Sequence, residues 1–402
     1  MGHPSRVVSL VLVTPDGRSR GRLAPFPVET PWWPDVEPIV RDVRDRLGLP
    51  VIILRMLEVE PHRSAGGHVT YLAESDHPVV LEPWTGHLGD HPLRQTWARP
   101  GGPAADLAWA SSVLDREGLR LTGSPQQVKS WNLSSLWRLP TTDGQAWLKV
   151  VPPFMAHEGS LLACLAQVAG HAVPNLLGHD GARSLMRDVP GEDMYEASGS
   201  MLLRMVTLLV DLQRACVGRV DELKELGLPD WRASALTEAI ALVVERTAPE
   251  LDAVERRTLG GFVEGLDERS TAVADCGLPD TLVHGDFHPG NLRSEGTNLV
   301  LLDWGDSGVG HPLSDRAAFL DRIPAQAVAP VTDHWDRAWR EAKPGCDPGR
   351  AARLLDPVAA ARQAVIYRRF LDGIEPSEHP YHRDDPADWL RRTAGLVRRS
   401  GR

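Results

Sequence analysis

Three oxygen-bearing side chains stand at spacings that suit a reaction on phosphate. They are Asp286, Asn291 five residues on, and Asp303 seventeen residues after Asp286. They lie in two strings, His284-Gly285-Asp286-Phe287-His288-Pro289-Gly290-Asn291 and Leu302-Asp303-Trp304-Gly305-Asp306. A carboxylate and a carboxamide are hard oxygen ligands suited to Mg²⁺, which keeps several waters and takes substrate phosphates as further ligands. A second carboxylate not committed to metal can orient a hydroxyl and accept its proton. Phosphoryl transfer needs little beyond positioning and neutralisation of phosphate charge. Gly285 and Gly290 let the backbone turn tightly around such a site. In the bland alternative, Asp286 is a turn residue and Asp303 a strand-end cap. His284 and His288, four apart, also suggest zinc, but the intervening Gly285 and the adjacent Pro289 keep the pair off a helix face.

Short apolar runs at Thr281–Val283 and Leu299–Leu302 predict strands on either side of the first string, with Ser294-Glu295-Gly296-Thr297 as a turn between them. A hairpin of these two strands would gather Asp286, Asn291 and Asp303 at one end of a small sheet. Around it the pattern is helical. Residues 201–216 are apolar nearly all round, which predicts a buried helix, and further helical patterns occupy about 231–246, 250–266, 313–322, 327–342, 349–372 and 386–398.

The two strings resemble the aminoglycoside phosphotransferase family, part of the larger choline-kinase-like and protein-kinase-like group. The resemblance extends over about residues 107–402. It implies a two-lobed protein-kinase-like fold of α+β class, with a β-rich N-lobe and a mainly helical C-lobe. It implies Asp286 as catalytic base, Asn291 and Asp303 as Mg²⁺ ligands, and His284 as a brace of the catalytic loop. A kinase fold also calls for a strand lysine paired with a helical glutamate. Ala146-Trp147-Leu148-Lys149-Val150-Val151 supplies Lys149 on an apolar run, where an ammonium needs a partner, and Glu158 follows at the start of a helical pattern. The resemblance gives Lys149 to the nucleotide phosphates and Glu158 to Lys149. The alternative is an edge-strand lysine and a glutamate favoured by its helix N-terminus. Upstream, Trp131-Asn132-Leu133-Ser134-Ser135-Leu136-Trp137 replaces a glycine-rich loop. Ser134 and Ser135 either cover phosphates there or form an ordinary hairpin turn. Residues 184–191 resemble the family's hinge, and Asp315, after His311, reads as a structural cap. A protein kinase is disfavoured, because the glycine-rich loop and an Ala-Pro-Glu-like segment after Asp303 are both missing.

The chain has 402 residues, more than the ~100–200 of one domain. Residues 1–92 read as a small α+β domain: a hairpin at Val7–Val13 with a Pro15-Asp16-Gly17 turn, a helix over Val36–Leu47, and strands at Val51–Leu57 and Gly67–Leu72. Residues 93–105, rich in Pro and Gly, read as a linker, 106–191 as the nucleotide-binding N-lobe and 192–402 as the C-lobe. Val128–Leu139 and Ala146–Val151 read as strands. A net charge of −10, from 44 basic and 54 acidic residues, argues against a nucleic-acid binder. Four scattered cysteines form no CxxC pair and fit a reducing cytoplasm. No apolar run approaches ~18 residues, so no membrane span is predicted, and the N-terminus reads as retained.

These readings predict a cytoplasmic, Mg²⁺-dependent kinase that moves the γ-phosphoryl group of ATP or GTP to a hydroxyl of a small molecule: an aminoglycoside-like antibiotic, a sugar or amino-sugar, a nucleoside or an amino-alcohol. Asp321, Glu375, Glu378, Asp384, Asp385 and Asp388 would suit a cationic acceptor or form a solvated acidic surface. His379, Tyr381, His382 and Trp389 would line its pocket or simply pack. The N-terminal domain is open to three readings: a cap that extends the nucleotide lobe, a substrate lid, or a surface for homo-oligomerisation. The alternative is a non-catalytic nucleotide-binding protein of kinase fold acting in assembly or regulation.

Overall fold

The computed structural model describes residues 5–60, 65–296 and 298–400. Its contacts divide the chain into two compact units, Met1–Gly159 with Leu176–Asp188 and Phe370–Arg383, and Ser160–Asn175 with Val189–Arg369 and Asp384–Arg402. The first is built on sheets and the second on helices.

In the first unit, β1 (Arg6–Val13) and β2 (Ser19–Val28) form an antiparallel hairpin. Gly17 turns it with φ +85°, a conformation open to glycine. Helix α1 (Glu37–Leu47) has proline in its first turn and ends at Gly48 in the left-handed conformation. β3 (Ile52–Val59) and β4 (Gly67–Glu74) complete a sheet of order β2-β1-β4-β3, in which β1 and β4 run parallel. One sheet face packs Val8, Leu10, Leu12 and Tyr71 with Ile39 and Val43 of α1, and the other buries Val11, Val13, Leu54 and Leu72. This explains the unbroken apolar run of β1.

After α2 (Gly102–Arg116) comes an antiparallel sheet of β5 (Gln126–Trp131), β6 (Ser134–Thr141), β7 (Gly144–Val150), then, beyond α3 (His157–Ala169), β8 (Leu176–Asp180) and β9 (Arg183–Arg187), in the order β5-β6-β7-β9-β8. The run Val128–Leu139 is therefore two strands and not one, folded back at Asn132-Leu133 so that Trp131 faces Ser134. Gln127 joins the two sheets. Its buried amide accepts from the Ile53 N–H and donates to the Ile53 carbonyl, both at 2.8 Å. The segment Phe370–Arg383 packs here as well. Glu375 pairs with Arg94 at 2.8 Å and Arg55 at 3.3 Å, and Tyr381 meets Trp33 and Trp131 edge-on.

The second unit carries β10 (Glu192–Asp193), α4 (Ser200–Ala215), α5 (Val220–Glu225), β11 (Asp230–Trp231), α6 (Ala233–Thr247), α7 (Ala253–Glu264) and α8 (Leu266–Ala274). The predicted helix 250–266 breaks at Gly265, between α7 and α8. Asp252 and Glu255 form a capping box at the start of α7. There follow β12 (Thr281–Val283), β13 (Leu292–Glu295), β14 (Asn298–Leu301), β15 (Gly308–Gly310), α9 (Arg316–Leu320), α10 (Ala325–Ala342), α11 (Pro348–Gly373) and α12 (Asp385–Ser400). Here the predicted hairpin is corrected. β14 pairs with β13, immediately before it, and β12 pairs with β15. The predicted turn joins β13 to β14, with Thr297 itself outside the described residues. The Asp286 loop thus leads from one small sheet into another. Among the described residues, no helix is long and apolar enough to cross a membrane.

Candidate active site

The predicted site residues fall into two groups, one in each unit. In the second unit, the loop after β12 is built around His284. Its Nε2 donates to the Leu302 carbonyl at 2.9 Å, and its Nδ1 accepts from the Asp286 N–H at 3.3 Å. Burial pushes its pKa down, so the ring is the neutral tautomer that can do both. One side chain thereby ties the Asp286 backbone to the residue before Asp303. Gly285 has φ +93°, and a Cβ there would lie 2.1 Å from the Asp306 carbonyl oxygen.

Asn291 completes the link. Its Nδ2 donates to the Asp286 carbonyl at 2.9 Å and to Asp286 Oδ2 at 3.2 Å, while its own carbonyl accepts from the Leu302 N–H at 2.8 Å. Two acceptors on one side fix the amide orientation and turn Oδ1 away from Asp286. Asp303 follows Leu302 with φ +62°, the one positive value at a non-glycine among the described residues. Aspartate tolerates that conformation better than most residues, but it still costs about 1–3 kcal/mol and is held only where the surroundings impose it. The next residue, Trp304, is fully buried with Nε1 on the Leu301 carbonyl at 3.0 Å.

His288 accepts from the Gly290 N–H at Nδ1 and places Nε2 3.4 Å from Asp286 Oδ2. Arg322 lies 3.6 Å from Asp286 Oδ1. Both histidines are thus occupied within the loop. Among the described residues no three His, Cys, Asp or Glu side chains cluster as a metal cage. Mg²⁺ is different, because it is held through one or two protein oxygens plus substrate phosphates. A carboxamide oxygen and a carboxylate fit that requirement.

A second layer was not legible in the sequence. Asp315 makes no cap bond to its own helix. Its carboxylate instead accepts the N–H groups of His284 at 2.9 Å and Gly285 at 2.8 Å, and the Gln213 amide at 3.2 Å. From the other side Arg362 and Gln363 of α11 donate to the Gly285 carbonyl at 3.3 and 3.4 Å. Asp315 and Arg362 are both about 1% exposed, and burial disfavours the charge of each. The only sequence signal for Arg362 is a lone arginine after three alanines.

In the first unit, Lys149 Nζ meets Glu158 Oε1 at 2.7 Å, with Glu158 only 3% exposed on its side chain. Ser134 and Ser135 lie on β6 beside the turn, and both hydroxyls hold indoles: Ser134 accepts from Trp131 Nε1 at 2.9 Å and Ser135 from Trp137 Nε1 at 3.0 Å. Ser135 is fully buried. The hydroxyls that the sequence offered to phosphate are engaged by tryptophan. The proposed acceptor groups are dispersed too. Glu375 and Glu378 are buried in the first unit, Asp321 pairs with Arg392, and Asp388 pairs with Arg391. Tyr381 and His382 pack against Trp131, and Trp389 joins a helical core with Leu390 and Ala394.

The family model of the APH phosphotransferase enzyme family matches residues 126–354. That stretch begins at β5 and contains both groups of residues. No curated protein matches the sequence. The fold is similar to that of an ethanolamine kinase from Plasmodium vivax, with a TM-score of 0.54 and 11% identity over 79% of this chain and 93% of that one. It is similar also to a choline/ethanolamine kinase family protein from Mesorhizobium loti, with a TM-score of 0.50 and 16% identity over 74% and 99%. A macrolide 2′-phosphotransferase type I gives a TM-score of 0.50 and 18% identity over 73% and 97%. At such identities the likeness is one of fold.

Proposed function

The chain belongs to the phosphotransferase enzyme family, and from that premise we propose that it is a kinase that moves the γ-phosphoryl group of ATP or GTP to a hydroxyl of a small molecule. The observation that carries the reading is the arrangement around Asn291. Its NH₂ group holds Asp286 while its oxygen faces away, and its backbone is bonded to the residue before Asp303. The loop thus presents one carboxylate separately from a carboxamide and a second carboxylate.

In this reading Asp286 accepts the proton of the acceptor hydroxyl. The hydroxyl oxygen forms a bond to the γ-phosphorus as the bond from that phosphorus to the β,γ-bridging oxygen breaks, and the nucleoside diphosphate leaves. Asn291 and Asp303 would hold Mg²⁺, which neutralises phosphate charge when bound. Lys149, braced by Glu158, would hold the donor phosphates. His284, Asp315 and Arg362 position Asp286 and touch no substrate in this scheme.

The test is nucleoside triphosphate consumption by the full chain with Mg²⁺, over a panel of aminoglycosides, macrolides, sugars, nucleosides and amino-alcohols. Acceptor-dependent release of diphosphate supports the kinase. Nucleotide binding without turnover across the panel would support the assembly or regulatory reading instead.

A further inference from the structure

A cavity of about 120 Å³ lies inside the second unit, among α6, α8, α11 and the turn after β15. It shares no residue with the Asp286 loop. Leu236 and Ile240 of α6, Leu266 and Val273 of α8 and Leu355 of α11 give it an apolar floor.

Its walls are not wholly apolar. His311 and Trp231 line it at 9% and 8% exposure. His311 Nδ1 accepts from the Leu313 N–H at 3.2 Å, so the neutral ring carries its proton on Nε2. That Nε2 and the Trp231 indole Nε1 are both buried without a hydrogen-bond partner among the described residues. Unmet buried donors cost about 1–3 kcal/mol each. Arg269, half-buried on the wall, donates to the Leu354 carbonyl at 3.0 Å and has no carboxylate partner among the described residues. The lining thus supplies two unmet donors and an arginine, which also lies 5.7 Å over the Phe262 ring, beside an apolar floor, a composition that suits a ligand with an anionic head. Asp280 also lines the cavity; burial disfavours its charge, and the charge of Arg232 offsets this in part.

The walls also touch both clamps of the Asp286 loop. Trp231 lies 5.8 Å beneath the guanidinium of Arg362, which holds the Gly285 carbonyl. His311 caps the turn Pro312–Asp315 that carries Asp315, and Ser314 of that turn lines the cavity. We propose that this cavity is a second binding site, for a small apolar carboxylate such as an aromatic or branched-chain acid whose head meets these donors, and that its occupancy stiffens the loop carrying Asp286.

The test titrates the full chain by calorimetry with benzoate, benzyl alcohol and benzylamine, one ring with three heads. Hydrogen exchange at the His284 and Gly285 amides is followed with and without benzoate. The expected result is one benzoate per chain, about tenfold or more tighter than the alcohol, from a hydrogen bond to a charged donor. Arg269→Gln, which also loses the bond to the Leu354 carbonyl, should lose that margin while its circular dichroism shows the native fold retained, and benzoate should slow exchange at both amides. No benzoate binding, equal binding of the alcohol, preference for the amine, or an unchanged affinity in Arg269→Gln would each overturn the site. Binding with unchanged exchange would overturn the coupling. Neither readout needs turnover, so failure here is distinct from failure of the kinase reading.

Discussion

The position of Asn291 makes two demands that a carboxylate cannot meet at once: a donor pair toward Asp286 and an oxygen on the far side. Asn291→Asp is therefore not conservative. It removes the donors at 2.9 and 3.2 Å and sets two carboxylates side by side, which disfavours both charges. Turnover should fall and the Mg²⁺ concentration for half-maximal rate should rise, measured as rate against Mg²⁺ for both proteins. Lys149→Met leaves Glu158 buried without its ammonium at 2.7 Å; the expected outcome is a raised KM for the nucleoside triphosphate and a lowered melting temperature. These residues stand out in the sequence because each is a polar group whose spacing would serve chemistry. Ser134 and Ser135 show what spacing leaves open: each hydroxyl accepts from an indole here and keeps its own O–H to donate.

At the scale of the element, the loop after β12 is held by groups far along the chain. Asp315 supplies acceptors to two of its N–H groups and to Gln213. Asp315→Ala should orphan all three, at about 1–3 kcal/mol per group, lowering the denaturation midpoint and turnover together. Gly285→Ala meets a backbone oxygen at 2.1 Å and should lower turnover with KM for donor little changed, because the nucleotide-phosphate role rests on Lys149. Most helices were legible from apolar periodicity. Strand pairing was not, since apolar runs of three or four residues carry no partner information. The turn at 294–297 was found, yet it joins β13 to β14, and β12 turned to β15 instead.

Across the whole molecule, the segment Phe370–Arg383 belongs with the N-terminal sheets although some three hundred residues of sequence intervene. Glu378 is buried there at 2% exposure, beside Glu375, Arg55 and Arg94 and near Tyr71 and Tyr381, accepting from the Met56 N–H. Burial first, then the charge of Glu375, pushes its pKa up from 4.5 to about 8. Between those values the folded carboxyl keeps a proton that the unfolded one releases. Stability from this group is full below about pH 4.5 and is lost as pH rises to about 8. Denaturation midpoints across that range should fall with pH in wild type and fall less in Glu378→Gln. The acidic residues near the C-terminus read either as an acceptor site or as a solvated surface because composition carries no burial, and Glu375 and Glu378 are in fact buried. The α+β class and the kinase-like fold of residues 126–354 were legible, because the strings of the site carry them. The packing of residues 370–383 on the first sheets was not.

The central claim is that Asp286 takes the proton of an acceptor hydroxyl during phosphoryl transfer. The most direct measurement compares wild type with Asp286→Asn, for turnover with the best acceptor and for nucleotide affinity by calorimetry. The expected result is a loss of about 10²–10⁴-fold in kcat, with nucleotide affinity and melting temperature near wild type. An Asp286→Asn protein that turns over at the wild-type rate would contradict the account.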